Sequence, residues 1–488
     1  MTARGHRVAR PHQQEAIKAA LGHFARADRA QVVMACGTGK TLVGQRVAES
    51  LAPGHGVTLV LCPTISLTHQ SRREWQQAAA VPFEALTVCT AADIDAVDAM
   101  MASATTTSAL VIGEWIAKPG RRVVFATYAS ARRVGEALAS TGGVIDVVIA
   151  DEAHRLAGYG DRPWGMPLDN ARLPARYRLH LTATPRIHTA DGSGQVIVSM
   201  DDTALFGEVA YELTFAEAIA RGLLSEYRVV VVAVRRGDVH AALLRDGVHP
   251  EQQMKVRNDT AEHARDLAIL GVIQRWGLAS ILVYCNRIES SRELLRHLRS
   301  THTALRQLGA ELPDIHLHHV DASSSVARRH MVLAALRARQ QVTIVGNVKL
   351  FGEGVDVPAL DAVVFAEPRS SPIDITQAVG RALRLKPGVG KKATILIPVW
   401  VGDEEDADAA LSGSPWEAIQ QTLIAIGDHD NRIVGALNGA RESMDEEVTL
   451  REHLRVVGAS LEDLSDLREA ITLRLLDHGG LSLRTTYG

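Results

Sequence analysis

Short apolar runs alternate with stretches of helical spacing along most of this chain, and they do so in two successive series. The first series falls at 31–36, 57–62, 123–127, 144–150 and 178–182, the second at 228–234, 280–284, 315–320, 342–346, 361–366 and 393–398. Runs that are apolar throughout, rather than at every other residue, belong to strands buried on both faces, as in a parallel sheet covered by crossover helices. Two such series in tandem predict an α/β chain of two parallel-sheet domains rather than one large sheet. We place the first domain at 1–212 and the second at 213–400. The stretch 204–227 reads as their connection; within it FAEAIARG (215–222) has helical spacing and stops at Gly222. The segment IHTADGSGQV (187–196) is rich in turn residues and reads as a surface loop.

Beyond residue 400 the strand pattern stops. Trp416, Ile419, Leu423 and Ile426 share one helical face, as do Leu461, Leu464, Leu467, Ile471 and Leu475. The region 401–488 is therefore expected to be small and helical, its apolar faces packed on the body of the chain or on a protein partner.

Charge is distributed unevenly. The net value is −3, yet the first 400 residues hold 46 basic against 38 acidic groups, while 401–488 hold 18 acidic groups and 7 Arg with no Lys. A basic body can hold a phosphate backbone. No apolar run approaches the ~20 residues of a membrane helix, and the opening MTARGHRVARPHQQ has no apolar segment to act as an export signal. A cytoplasmic protein without membrane contact is expected. The four cysteines (Cys36, Cys62, Cys89 and Cys285) form no C-x-x-C pair, so neither a zinc site nor a redox dithiol is signalled.

Chemistry concentrates in a few segments. AQVVMACGTGKT (30–41) is strand, glycine-containing turn and helix start. Gly37, Thr38 and Gly39 can curl backbone N–H groups around a phosphate chain, and the positive end of the following helix favours an anion. Lys40 would reach the β- and γ-phosphates of ATP, and Thr41 would ligate Mg²⁺. The strict pattern for such a loop asks for Gly where this chain has Met34. In VIDVVIADEAH (144–154) an apolar strand ends in adjacent carboxylates, 111 residues after Lys40. Asp151 can hold the Mg²⁺ of a nucleotide, and Glu152 can orient and deprotonate an attacking water. Negative charge growing on a transferred phosphoryl group needs positive charge beside it. QAVGRALR (377–384) offers Arg381 and Arg384, three apart on an expected helix face.

Together these residues resemble the superfamily 2 helicases of the DEAH type, over nearly all of residues 8–400 and with several motifs in the family's order. Within them the chain looks like the bacterial DNA translocases that share a motor with type I and type III restriction subunits and with the XPB and UvsW repair helicases. The resemblance implies two RecA-like domains and ATP hydrolysis with Mg²⁺. In RPHQQEAI (10–17) it implies that Gln13, with Arg10 nearby, reads adenine, with His12 where the family usually has an aromatic residue. It assigns Thr182 and Thr184 of LTATP (181–185), with His154 and Gln377, to coupling hydrolysis to strand movement. Nucleic-acid contacts fall on Pro63, Thr64 and Ser66 of LCPTISLTHQ (61–70), Thr127 of FATYAS (125–130), Asn286 and Arg287 of VYCNRIESS (283–291), and Asn347 of NVKLFGEGVDVP (347–358). In that last motif Gly354 and Asp356 would lie near the nucleotide, and Gly352 stands where relatives often carry a hydroxyl. The segment 416–438 is similar to the helical segment that follows the motor in certain actinobacterial helicase-like proteins.

Short hydroxyl and amide side chains grip phosphates without reading bases, which suits movement along a strand. Four functions remain open on the sequence: a DNA helicase or translocase, a DNA-pumping subunit of a defence or repair assembly that separates no strands, an RNA helicase, and a scaffold with a dead ATPase fold. DNA is the more expected partner than RNA. The intact Lys40, Asp151, Glu152, Arg381 and Arg384 argue against the scaffold. None of the eight lysines has Asp or Glu two positions before it, so a D/E-x-K nuclease is not indicated.

Overall fold

The computed structural model describes residues 7–89, 105–159, 163–188, 197–234, 260–307, 309–321, 323–347, 360–367, 371–385, 392–400, 413–439, 450, 452–458, 464–477 and 486–487. Two compact units divide the chain. One runs to Thr214 and takes in the short strand at 486–487; the other begins at Phe215.

The first unit is an eight-stranded sheet in the spatial order β11 (Glu208–Leu213), β1 (Arg29–Met34), β8 (Ala175–Thr182), β6 (Ile145–Asp151), β2 (Gly56–Cys62), β5 (Arg121–Thr127), β3 (Glu84–Val88) and β4 (Thr105–Thr106). Every pairing in it is parallel. Helices α1 (Pro11–Phe24), α2 (Lys40–Leu51), α3 (Ile65–Ala78), α4 (Ala109–Ile116) and α5 (Ala131–Thr141) flank it, and α6 (Thr203–Phe206) precedes β11. Two ribbons sit outside the sheet: β7 (Gly158–Tyr159) pairs with β10 (Ile197–Val198), and β9 (Ile187–His188) with β19 (Thr486–Tyr487). The core is built from the continuous apolar runs of the central strands, with Leu59, Leu61, Val124, Val148 and Leu138 buried together.

The second unit opens with α7 (Phe215–Ala220) and holds a seven-stranded sheet. Its order is β14 (Ile315–Val320), β15 (Val342–Asn347), β13 (Ser280–Tyr284), β16 (Ala362–Phe365), β17 (Lys392–Trp400), β12 (Glu226–Val234) and β18 (Leu454–Val457). These pairings too are all parallel. Its helices are α8 (Thr260–Trp276), α9 (Ile288–Gln307), α10 (Val326–Ala338), α11 (Pro372–Ala382), α12 (Ser414–Gly427), α13 (Asn431–Gly439) and α14 (Ser465–Asp477). No helix among the described residues is long and apolar enough to cross a membrane.

All eleven expected strands are present, and the strands that the apolar runs did not signal lie toward the sheet margins or outside the main sheets. β11 falls within the stretch read as a connection, and its residues Glu208, Val209 and Glu212 are exposed. β18 lies in the acidic region read as purely helical. A strand with a partner on one side only needs no continuous apolar run, so hydropathy does not announce it. The helical faces beyond residue 400 are covered from within the chain. Trp416, Ile419, Leu423 and Ile426 are buried, and α12 packs on α11 and β17. Leu467, Ile471 and Leu475 of α14 are buried as well, and α14 packs on β18 and α13. Leu461 lies outside the described residues.

One buried carboxyl gives a pH-dependent prediction. Asp266 on α8 is fully enclosed and accepts a 2.9 Å hydrogen bond from the Thr301 hydroxyl of α9. Its other oxygen has no hydrogen-bond partner among the described residues. Burial pushes its carboxyl up to about 6, against the opposing Thr301 bond. A carboxyl raised in the folded state stabilises fully below its unfolded value, and that contribution is lost as pH rises through the folded value. Asp266→Asn should therefore stabilise the protein at pH 7.5 by ~2 kcal/mol, with the gain vanishing near pH 4. Urea unfolding at the two pH values checks this; an equal effect at both would mean that ionisation is not the cause.

Candidate active site

The order of strands in the first unit decides which loops meet. Strands β1, β8 and β6 are adjacent, with Val33 opposite Thr182 and Leu181 opposite Asp151. Because the sheet is parallel, the carboxyl ends of all three lie along one edge, and the turns that leave them are neighbours.

β1 carries Met34 buried in the sheet opposite Leu213. The turn begins only after it, and the two left-handed positions are Gly37 (φ 84°) and Gly39 (φ 90°). The Gly missing from the strict pattern is therefore not one the turn needs. Gly39 has a second constraint: a Cβ there would stand 2.2 Å from the Gln13 amide nitrogen. Lys40 opens α2, whose first turn has no side-chain cap, leaving its N–H groups for an anion. The buried Lys40 ammonium donates to the Met34 carbonyl at 3.1 Å, folded over the turn. Thr38 braces the loop by donating to the Ala35 carbonyl at 2.7 Å.

Helix α1 is wired into this loop. The Gln13 amide nitrogen donates to the Thr38 carbonyl at 3.1 Å, while its oxygen accepts from the Arg10 backbone N–H at 2.9 Å. His12 is buried, and its Nε2 bonds the same Thr38 carbonyl at 2.9 Å. A carbonyl only accepts, so this nitrogen carries the proton. His12 thus braces the phosphate loop, a role its identity as a replaced aromatic did not suggest.

At the end of β6, Asp151 is buried and Glu152 takes a left-handed backbone (φ 52°, ψ 51°). Burial first, and the Glu152 carboxylate second, raise the Asp151 carboxyl well above the usual range; Lys40 offsets part of this. The Tyr128 hydroxyl holds the strand end by donating to the Asp151 carbonyl at 2.7 Å. Tyr128 lies inside the FATYAS segment, yet only the fold shows what it touches. Glu152 Oε2 has no hydrogen-bond partner among the described residues and lies 3.5 Å from His154 Nδ1. That nitrogen also meets the Thr182 hydroxyl at 3.1 Å and the Thr184 hydroxyl at 3.4 Å. The Thr184 backbone N–H donates to Thr182 Oγ1 at 3.0 Å. A continuous polar chain therefore runs from Glu152 through His154 to the LTATP turn.

The next strands along the same edge are β2 and β5, with Cys62 opposite Thr127. Thr64 caps α3, accepting from the Leu67 N–H at 3.3 Å, and Ser66, two residues on, is exposed. Pro63, partly exposed, immediately precedes Thr64. Thr127 caps the following 3-10 turn through a 3.2 Å bond from the Ser130 N–H. The two loops proposed to grip a backbone are thus side by side at the sheet edge that carries the nucleotide loops.

In the second unit, Gln377 and Arg381 are buried one turn apart on α11. Neither atom of the Gln377 amide has a hydrogen-bond partner among the described residues. Arg384 departs from the expectation of a shared helix face: α11 ends at Ala382, and Arg384 is fixed by a backbone bridge to Leu224. Asn347 is buried at the end of β15, its carbonyl accepting from the Cys285 N–H at 3.1 Å. Asn286 and Arg287 are exposed just beyond β13, and the Asn286 N–H donates to Glu367 at 2.6 Å. Gly354 and Asp356, with Gly352, lie outside the described residues.

This is the geometry of a P-loop nucleoside triphosphatase, and the comparisons define its class. Residues 7–187 match the family model described as type III restriction enzyme, res subunit, and residues 269–386 match the helicase conserved C-terminal domain. Together the two matches place both halves of the chain in superfamily 2 of the helicases, in the kind that includes the type III restriction subunits. Among curated relatives, a probable helicase of African swine fever virus, A859L (isolate Pig/Kenya/KEN-50/1950), is 28% identical over 398 residues. That match covers 81% of this chain and 41% of the viral protein. The type I restriction enzyme EcoKI endonuclease subunit of Escherichia coli (strain K12) is 24% identical over 286 residues, 50% of this chain and 23% of that protein. Among solved structures, the ATP-dependent Type ISP restriction-modification enzyme LlaBIII bound to DNA aligns with a TM-score of 0.81 at 26% identity. It covers 97% of this chain and 33% of that one. The chain spans under half the length of these curated relatives.

Proposed function

We propose that this protein is a cytoplasmic DNA-stimulated ATPase that converts hydrolysis into movement along the DNA backbone. The observation that carries the reading is the row of loops at one edge of the first sheet: phosphate loop, LTATP turn and Asp151–Glu152 pair on β1, β8 and β6, then the two hydroxyl-bearing loops on β2 and β5. Lys40 and the free first turn of α2 would hold the phosphates, and Arg10 and Gln13 would flank the base. Glu152 would orient the attacking water, and His154, Thr182 and Thr184 would pass the event to the strand-gripping loops. By the family resemblance Arg381, Arg384, Gly354 and Asp356 would serve the nucleotide, Gln377 would join the coupling residues, and Asn286, Arg287 and Asn347 would contact the nucleic-acid backbone.

The residues fit a divalent cation. Asp151 is a buried carboxylate beside a second one whose Oε2 accepts no hydrogen bond among the described residues, and Thr41 follows Lys40 at the helix start. Thr41 and Asp151 would hold Mg²⁺, which neutralises phosphate charge when bound. DNA is favoured over RNA by the DNA-bound LlaBIII structure and by the basic balance of the first 400 residues. The second reading is a translocase that pumps DNA without separating strands within a restriction, defence or repair assembly. It is favoured by the restriction enzymes among the similar proteins. A protein partner in such an assembly would engage 401–488 through surfaces other than the buried faces of α12 and α14.

ATPase rates with single-stranded, duplex and forked DNA and with RNA, at stated salt, test the proposal. Stimulation by DNA well above RNA is expected, and displacement of a triplex without opening of a fork would select the second reading. Lys40→Ala should reduce turnover at least ~10³-fold, since it removes a charge held against the phosphates. An unchanged rate would place the activity elsewhere.

A further inference from the structure

We infer that α12 is a positioning brace for the helix that carries Gln377 and Arg381, and that Thr376 is the residue through which it acts. The inference rests on the proposed role of α11 in ATP turnover.

The last carbonyls of a helix lack partners within it and must find them elsewhere. In α12 the Ala425 carbonyl is one of these, because the His429 N–H that would normally reach it donates to the Ile426 carbonyl at 3.0 Å. The partner that Ala425 finds is the Thr376 hydroxyl of α11, at 3.2 Å, with both residues buried. Thr376 immediately precedes Gln377 and stands five residues before Arg381. The bond therefore fixes the rotation of α11 at the turn whose other face presents those two side chains.

Both helices are moored to one short segment. The end of α11 is held where the Leu383 carbonyl accepts from the Ser225 N–H at 2.8 Å and from its hydroxyl at 3.0 Å. The end of α12 is held three ways. The Phe215 N–H donates to the His429 carbonyl at 2.9 Å. The buried Tyr227 hydroxyl donates to Asp430 at 2.8 Å. Arg432 then joins Asp430 at 2.7 Å to Glu226 at 3.2 Å. Residues 215–227 thus carry the mooring of both α11 and its brace. Nothing in α12 bears a group that the proposed chemistry requires, so its value to the site lies in geometry.

The test uses the full chain and steady-state ATPase kinetics with a single-stranded DNA oligonucleotide at 25 °C, with melting temperatures recorded. Thr376→Val keeps the shape and removes the donor; kcat should fall ~10-fold while KM for ATP moves less than ~3-fold, because misplacement of a positioned group costs rate rather than ground-state binding. Thr376→Ser restores the hydroxyl and should return kcat to within ~2-fold of the parent. Thr422→Val is the control, since the Thr422 hydroxyl donates only back to Ala418 within α12, at 2.8 Å. It should cost stability without lowering kcat. If Thr376→Val fails to fold, Tyr227→Phe loosens the far mooring and should lower kcat in the same sense. A folded Thr376→Val protein with parental kcat, or equal losses in Thr376→Val and Thr422→Val, would overturn the brace. An Arg381→Ala protein of parental activity would instead overturn the role of α11 on which the brace depends.

Discussion

Glu152→Gln should leave nucleotide binding intact and cut the DNA-stimulated ATPase rate by about 10²–10⁴-fold, the range expected when a general base is lost. The substitution keeps the side chain's size and removes its charge. Glu152 has the features of a base rather than of a structural acid. Its backbone is held left-handed at φ 52°, one of two such non-glycine positions among the described residues. Its buried Oε2 has no hydrogen-bond partner among the described residues, and His154 Nδ1 lies 3.5 Å from it. A backbone in that region costs on the order of 1–2 kcal/mol for an L-residue, a strain that packing around the site must offset. Turnover and binding of a fluorescent ATP analogue, measured side by side, decide the matter. A variant that retains more than about a tenth of the parental rate would move the base to another group.

Arg381→Ala should lower kcat by ~10³-fold, the effect of losing a guanidinium that meets charge developing on the transferred phosphoryl group. Arg381→Lys should recover little of it, since an ammonium cannot reproduce the planar fork. The placement supports this size of effect. Arg381 is buried, and one turn away is the Gln377 amide, buried with neither polar atom hydrogen-bonded among the described residues. An amide left so costs about 1–3 kcal/mol, which a ligand that bonds it would recover. Arg384 should matter less, as it is partly exposed and fixed through its backbone to Leu224. If Arg381→Ala and Arg384→Ala lose activity equally while their melting temperatures match the parent, the distinction drawn between helix and bridge is wrong.

Much of this site could be read before any fold was known. The glycine turn and the paired carboxylates are local patterns, and local chemistry demands particular residue types at particular intervals; the spacing legible on the arginine helix is that of Arg381 and Arg384, and Gln377 comes only from the resemblance. Two parallel sheets could be read too, because strands buried on both faces leave unbroken apolar runs. What escaped depends on partners distant in sequence. His12 looks like an aromatic gone missing until it is seen bonding the Thr38 carbonyl. Tyr128 looks like part of a grip loop until it is seen holding Asp151. The connection at 204–227 reads as a linker because β11 is exposed on one side, and because the polar role of Ser225 and Tyr227 exists only once α11 and α12 arrive. The placing of Arg384 beyond the helix shows the limit of spacing rules near a helix end.

Because β18 lies against β12 and α12 packs on α11, the second unit is not finished at residue 400. A chain cut after residue 400 would lay bare the backbone of Val229, Val230, Val231 and Val232 along an unguarded edge. It would also strip the cover from the outer face of α11 and leave the buried Tyr227 hydroxyl without its acceptor. Dissection of this protein into a smaller piece must therefore keep its acidic end, because the edge of the second sheet and the cover of α11 are built from it.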